Sequence, residues 1–398
     1  MRVLFVAEVY AWPPTDGYRL RMANMVEGLA EVAEVDLLVT DEPQRLGAAP
    51  APGGVRVLAL PEVRTGRARA WLDWVRTGVP RLMTDRSPVE VREAARGWLA
   101  DHYDAVVYSH VDSWWHYRGL VDAPEVVDFD NLEDRAILAS LRTVPTDVAG
   151  RLRWAVRAPV SWWDARRWHR MQLRCAAAVD RVLVCSDLDA GRSGCANAVV
   201  VSNGAEPRGE PVDHRVPPRS GATFVFVGLM SYPPNADAVR WFVAEVWPEV
   251  RRRLPDSTFR IVGRGGDVVA ELGSTPGVEV RGEVEDLAPE LASADVSVVP
   301  IRTGSGTRLK VAEALANGLP TVSTRLGAEG IDVVHGTHVL LADAADEFAA
   351  ACVRAATDAA TRRTLIDEGG ALWRDRYRWS AIRARFAEMV AELSANPR

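Results

Sequence analysis

The chain has 398 residues, 48% of them apolar, with a formal net charge of −6 and a pI near 5.8. That length exceeds what one hydrophobic core usually supports, so two domains are expected. The acidic balance argues against a general nucleic-acid binder, which needs a basic face to neutralise phosphates.

The N-terminal "MRVLFVAEVY" holds too short an apolar run for a signal peptide core. No later segment approaches the roughly 18 apolar residues of a membrane span, and the expected location is the cytoplasm. Short β-branched runs then alternate with longer helical patterns, the sequence look of parallel sheets covered by helices. In the first half these runs are 2–9, 35–40, 55–60, 105–110, 126–130, 181–186 and 197–204. Residues 205–221 hold four prolines and no apolar periodicity and read as a linker. A second series follows at 223–228, 257–263, 278–282, 296–300, 320–324 and 338–343. The segment 378–395 is one more amphipathic helix. The expected organisation is an α/β fold of two Rossmann-like, doubly wound domains, 1–204 and 222–375, with an interdomain cleft. Residues 376–398 are expected to cross back to the first domain. Ligands of such sheets bind outside the carboxyl ends of the strands. Cys175, Cys185, Cys195 and Cys352 show no C-x-x-C spacing and read as buried reduced thiols rather than zinc ligands.

In the first half, Gly17 lies in the loop "YAWPPTDGYRLRM", where backbone N–H groups could approach a phosphate with Arg19 or Arg21 nearby; an ordinary β–α turn reads equally well. His110 ends a strand, which makes it a site candidate, although a lone histidine is more often structural. Asp128 and Asp130 spell D-x-D, a metal motif elsewhere, but are read here as a strand end on the acceptor side, with Asp130, Asn131 and Trp114 as acceptor-side candidates and no metal. Ten of the fourteen tryptophans precede residue 170. Residues 151–174 carry seven arginines against one acid, with a break at Pro159 and a capping box from Ser161. This segment reads either as a helix with core-facing aromatics and a solvated basic side, or as a peripheral contact with the inner membrane face or a lipid-phosphate acceptor.

In the second half, "IRTGSGTRLKVAEALANGLP" (301–320) follows a buried strand and opens a helix, with Thr307 as N-cap and Gly318 as stop. A capping box would place Glu or Gln at position 310, where Lys310 stands, and Arg308 adds a second cation. Cations there face the positive end of the helix dipole at a cost of about 0.3–1 kcal/mol. Either an anion docks on the helix N-terminus, or both cations are solvated and Lys310 leans on Glu313. The loop lacks the ending of a Walker motif and the third glycine of a dinucleotide fingerprint.

The stretches "FVGLMSYPPNADAVRWFVAEVWPEV", "RIVGRGGD" and "VEVRGEVEDLAPELASADVSVVPIRTGSGTRLKVAEALANGLPTVSTRLGAEGI" resemble the donor half of family 4 retaining glycosyltransferases of the GT-B fold, most strongly over 223–345. The resemblance implies transfer of a sugar from a nucleotide-diphosphate donor to an acceptor hydroxyl with retention, without metal or cofactor. It implies that Glu313 holds the ribose, that Gly304, Ser305, Gly306 and Thr307 wrap the diphosphate and sugar, and that Gly17 and Arg264 contact the donor. His110 matches a histidine near the reacting sugar. Ser305 stands where the family has a sugar-reading glutamate, and Leu229 and Pro234 stand where it has phosphate-binding Arg and Lys. Phosphate neutralisation is therefore expected from Arg308 and Lys310. The implied partners are a nucleotide sugar and a small-molecule, glycan or lipid-linked acceptor. A nucleotide-sugar 2-epimerase of the same architecture, or a silent nucleotide-sugar-binding protein, is the alternative.

Overall fold

The computed structural model describes the chain apart from residues 42–48, 62, 142–147, 211, 219, 305–307 and 396–398. It divides into two compact units, Met1–Ser202 with Ile382–Arg398, and Asn203–Ala381.

In the first unit, β1 (Arg2–Ala7) leads through α1 (Gly17–Ala30) to β2 (Glu34–Val39) and β3 (Val55–Ala59). A small antiparallel ribbon, β4 (Val63–Arg64) and β5 (Arg86–Ser87), brackets α2 (Arg67–Thr77), and α3 (Val89–Arg96) follows. Then come β6 (Ala105–Tyr108), α4 (Val111–Tyr117), β7 (Glu125–Asp128), α5 (Glu133–Leu141), α6 (Val148–Ala178), β8 (Arg181–Val184), α7 (Asp187–Ser193) and β9 (Ala198–Val200). Seven strands form one sheet in the order β3-β2-β1-β6-β7-β8-β9, every neighbouring pair parallel. β1 and β6 are near-continuous apolar runs and are buried almost throughout, as a parallel strand covered on both faces must be.

The second unit runs β10 (Thr223–Val227), α8 (Pro233–Trp241), a π turn at Phe242–Val246, α9 (Trp247–Arg253), β11 (Thr258–Val262), β12 (Val278–Gly282), α10 (Ala288–Ala292) and β13 (Val296–Val299). It continues with α11 (Leu309–Ala316), β14 (Thr321–Ser323), β15 (Leu340–Leu341), α12 (Ala345–Thr357), α13 (Ala359–Leu372) and the start of α14 (Trp379–Ala395). Its sheet is parallel with the order β12-β11-β10-β13-β14-β15. In each unit the strand order reverses beside the first strand, between β1 and β6 and between β10 and β13. A crevice for ligand opens at that point outside the strands' carboxyl ends.

Two readings of the sequence need correction. The stretch 205–221 is not a free tether: Ala205 N–H donates to Tyr377 O at 2.8 Å, Arg208 N–H to the Asn317 side chain at 2.8 Å, and Arg362 to His214 O at 3.0 Å. These bonds tie the start and the middle of the stretch to residues of its own unit. The break expected at Pro159 is absent, because α6 runs through it as one helix. Ala155, whose carbonyl the proline leaves unbonded, is exposed, so water can satisfy it. The C-terminal helix belongs to the first unit from Ile382 onward. There Arg383 donates to Asn24 at 2.8 Å and reaches Glu27 at 2.5 Å, against α1.

At the centre of the first unit lies an ion pair with almost no water. Arg21 on α1, fully buried, donates from Nε and Nη2 to the two oxygens of Asp128 at 2.6 and 2.8 Å and from Nη1 to Val201 O at 2.8 Å. Removing one partner leaves a buried charge and typically costs about 3–5 kcal/mol. Arg21→Met is therefore expected to lower the unfolding free energy of the chain by roughly that amount in urea titrations, whereas the double change with Asp128→Leu should recover a large part of it.

Candidate functional site

The crevice of the second unit is built by the loops after β10, β11 and β13. Gly263 has φ +133°, and a Cβ there would lie 2.0 Å from the Gly228 carbonyl oxygen, so only glycine lets these loops meet. Met230 N–H donates to Arg264 O at 2.8 Å across the same seam. A Cβ on Gly228 would lie 2.7 Å from Lys310 Nζ and 2.9 Å from Asn235 Nδ2. The bare backbone at 228 thus leaves the space that the Lys310 ammonium uses, over the carbonyl end of β10. That nitrogen also sits 5.3 Å from the centre of the Phe226 ring.

Burial lowers the affinity of Lys310 for its proton, with Glu313 acting in the opposite direction. Among the described residues no carboxylate oxygen comes within 4.0 Å of Lys310 Nζ. The solvated pairing of Lys310 with Glu313 is not what the structure shows, because Glu313 faces Arg208 at 3.8 Å. Arg308 is 9% exposed, donates to Leu326 O at 3.1 Å and is likewise lowered by burial. Two largely desolvated cations therefore stand at the start of α11, with Glu329 acting on Arg308 and Glu313 on Lys310.

Of the other donor-side residues, Gly304 takes φ +104°, where a Cβ would meet Pro234 Cγ at 3.2 Å and the Tyr232 hydroxyl at 3.3 Å. This brings the loop after β13 against the start of α8. Pro233 and Pro234 stand in that helix's first turn, so it offers fewer backbone donors to an anion than α11 does. Arg264 has a side chain 60% exposed and lies 3.9 Å from Glu283, away from any tight pairing. Ser305, Gly306 and Thr307 lie outside the described residues; α11 itself starts at Leu309 with Arg308 at the cap position. Gly318 has φ +67° beyond the helix end, as expected of a stop.

In the first unit the reversal point gathers polar groups from four elements. His110 caps α4 and is held on both sides: Nδ1 lies 2.9 Å from Asp112 Oδ1 and Nε2 3.6 Å from Glu133 Oε1. Its ring packs edge-on to Trp168, centres 6.0 Å apart. Arg86 Nη1, from the ribbon, stands 3.5 Å from Glu8 Oε2 and 3.7 Å from Asp112 Oδ2. Tyr18 donates to Ser109 Oγ at 3.1 Å.

The charges are strongly coupled. Burial, and then the nearby Asp112, push the Glu8 carboxyl well above the usual carboxylate range. Burial alone would raise Asp112 too, but hydrogen bonds from Glu8 and His110 override it and hold it low. Burial alone would discharge His110, yet Asp112 and Glu133 outweigh it and push the imidazole well up. The ligand atoms of Glu8, His110 and Asp112 lie within 4.8 Å of one another, close enough to share a cation. Arg86 already faces the two carboxyl groups in that position.

Sequence reasoning missed Glu8, Asp112, Glu133 and Arg86. The available signal was placement: Glu8 directly follows the first strand and Asp112 lies in the first turn of the helix after β6, the two segments that flank the order reversal. Three of its readings are corrected. Arg21 is unavailable to a phosphate because Asp128 takes it. Asp130 turns inward, 3.8 Å from Arg21 and accepting from Cys185 Sγ at 3.4 Å. Trp114 is 2% exposed and donates to Glu125 at 3.1 Å, because the 111, 114, 117 face of α4 is the core face. Asn131 is exposed, and Gly17 is exposed at the first turn of α1, following Asp16, which caps the helix.

Residues 221–358 match the family model described as glycosyl transferases group 1. Over 99% of its length the chain superposes on all of sucrose-phosphate synthase from Thermosynechococcus elongatus, with a TM-score of 0.70 at 18% identity. The chain has the GT-B fold of glycosyltransferases. Anabaena HepE, solved in complex with UDP and glucose, is similar over 99% of this chain and 100% of that one, with TM-score 0.61 and 14% identity. By sequence, 160 residues are 32% identical to the GDP-mannose-dependent alpha-(1-6)-phosphatidylinositol monomannoside mannosyltransferase of Mycolicibacterium smegmatis, covering 36% of this chain and 42% of that one. The chain spans less than half the length of the curated relatives it matches.

The Gly228 and Lys310 geometry makes a specific demand on this GT-B crevice. Gly228→Ala must push the ammonium aside or tilt α8 through Asn235, costing about 1–3 kcal/mol as overpacking does. Chemical denaturation is expected to show that loss, while Arg264→Ala, at an exposed side chain, should stay within about 0.5 kcal/mol of the parent.

Proposed function

We propose that the chain is a glycosyltransferase that moves a sugar from a nucleoside-diphosphate sugar to an acceptor hydroxyl, with retention at the anomeric carbon and without a metal ion. The observation that carries this reading is the pair of desolvated cations, Arg308 and Lys310, at the N-terminal end of α11 beside the order reversal of a parallel sheet. A diphosphate there would receive both side chains and the free N–H groups of the helix. Glu313, one turn further on and half-buried, would accept from a ribose diol.

In the reaction, negative charge grows on the departing diphosphate. Groups aimed at that charge, already stripped of water, lower the barrier most. The sugar-carrying oxygen leaves toward Arg308 and Lys310, and the same diphosphate takes the acceptor's proton on the face it has just left. The relatives name UDP with glucose and GDP-mannose as ligands of other proteins. Both nucleotides are therefore the first arms of a screen. For the acceptor, a cavity of about 380 Å³ in the first unit, lined by Thr77, Thr84, Arg86, Trp115 and Arg118, replaces Trp114 as the candidate.

A thermal-shift screen over UDP-, GDP- and dTDP-sugars is expected to find a ligand whose stabilisation grows with concentration, by about 2.7 kcal/mol at a hundred times its dissociation constant. Lys310→Ala should abolish that increment and leave the ligand-free melting temperature close to the parent's. An absent shift with every nucleotide sugar overturns the reading.

The acceptor's setting is read from α2 and α6. Among the described residues no helix is long and apolar enough to cross a membrane. Yet α6 presents Val148, Leu152, Val156 and Trp163 outward, 50–83% exposed and at helical spacing on one side. Trp163 continues through the Arg167 guanidinium (5.9 Å) and Trp74 (4.4 Å) to Trp71 on α2 (5.0 Å from Trp74), so the two exposed tryptophans end one contiguous aromatic ladder. Exposed Arg151, Arg153, Arg157, Arg166, Arg170 and Arg174 flank it. A second copy would set these cations against each other, whereas an anionic bilayer surface takes both the apolar stripe and the arginines. Flotation with phosphatidylglycerol vesicles should carry the chain, with loss in 0.5 M salt and in Trp71→Ala/Trp163→Ala; equal binding to phosphatidylcholine vesicles or none at all counts against a lipid-linked acceptor.

A further inference from the structure

The cluster at the end of β1 and β6 does more than place a histidine near a substrate. His110 lies between two carboxylates, Asp112 at Nδ1 and Glu133 at Nε2, with its side chain 13% exposed. With one carboxylate in hydrogen-bond reach of Nδ1 and a second 3.6 Å from Nε2, the doubly protonated ring is the form that both neighbours favour. The Asp112 side is the rigid one. Its carboxylate is 2% exposed, accepts from Ser113 N–H at 3.0 Å and stands against Arg86. Glu133, by contrast, is 28% exposed and its contact is long at 3.6 Å, so a ligand oxygen could take its place at Nε2.

We infer that Asp112 is a positioning residue which holds His110 as a permanent imidazolium with Nε2–H turned toward ligand, and that Glu133 is the partner a substrate oxygen displaces. His110 then acts as a hydrogen-bond donor and positive charge, not as a general base. This rests on the transferase reading for the identity of the ligand, and it leaves deprotonation of the acceptor to the leaving diphosphate. Glu8, sharing its proton with Asp112, keeps the cluster from accumulating a second negative charge beside Asp112. Arg86 offsets the one that remains. Tyr18 adds a neutral hydroxyl from α1. Asp128, whose charge also reaches His110, is taken up by Arg21.

The state of the ring can be read without knowing the substrate. The full chain labelled with ¹⁵N-histidine gives ring-nitrogen shifts for its seven histidines, and His110→Gln identifies the signal that belongs to position 110. In the parent that signal is expected to keep imidazolium shifts through pH 8, where an ordinary histidine with a pKa of about 6.5 has lost its proton. Asp112→Asn should return it to a titration below neutrality, while Glu133→Gln should leave it charged. Circular dichroism and melting curves identify a variant that has failed to fold; Glu133→Gln, at the more exposed group, then still reports on the parent assignment. A parent His110 that titrates near 6.5, or an Asp112→Asn ring that stays charged through pH 8, overturns the inference. Neither result depends on the thermal-shift screen, so this idea and the transferase reading fail separately.

Discussion

The Arg21–Asp128 pair is the constraint from which the first unit takes its register. A guanidinium without water needs several acceptors in fixed directions at once, and a carboxylate without water needs donors. Here α1, the end of β7 and the carbonyls at Val201 and Ser202 meet those needs together. If α1 slid by one residue, the charge would be left stranded. The pair therefore sets how the first helix lies over the sheet and where the loop between β1 and α1 begins. That loop brings Glu8 and Tyr18 to the place where the strand order reverses.

The second unit uses glycine where the first uses charge. Gly228 and Gly263 let two strand-end loops approach so closely that Lys310 can lay its ammonium over β10. The two crevices end up electrostatically different. In the first, His110, Asp112, Glu133, Glu8 and Arg86 are matched, cation to carboxylate, within about 4 Å. In the second, the Lys310 ammonium has lost water with no carboxylate oxygen of the described residues within 4.0 Å, Glu313 being drawn to Arg208.

What could be read from the residues follows from how local each signal is. Parallel strands announce themselves, because burial on both faces demands runs such as "VLFVA" and "TFVFV" that no exposed segment would carry. Lys310 was legible for a local reason as well: a cation in the first turn of a helix is unfavourable by itself. Arg21 was misread because one turn into a helix nothing distinguishes a buried arginine from a solvated one until Asp128, 107 residues away, is in place. Trp114 reads as an acceptor-side candidate and is core. Its role depends on which face of a seven-residue helix meets the sheet, which its own pattern is too short to say.

The tryptophans of α6 show the same division within a single helix. Trp168 is 2% exposed in the core, whereas Trp163 and Trp162, five and six positions earlier, are about half exposed. A helix turns 100° per residue, so these steps carry them about 140° and 240° around the axis, off the face that the sheet covers. Composition could report only that the segment is rich in Arg and Trp. The period sorts it into an inner face that the sheet needs and an outer face that the sheet does not. The outer face continues past Trp163 with the exposed Arg166, Arg170 and Arg174, one helical side along which the sheet imposes no apolar requirement.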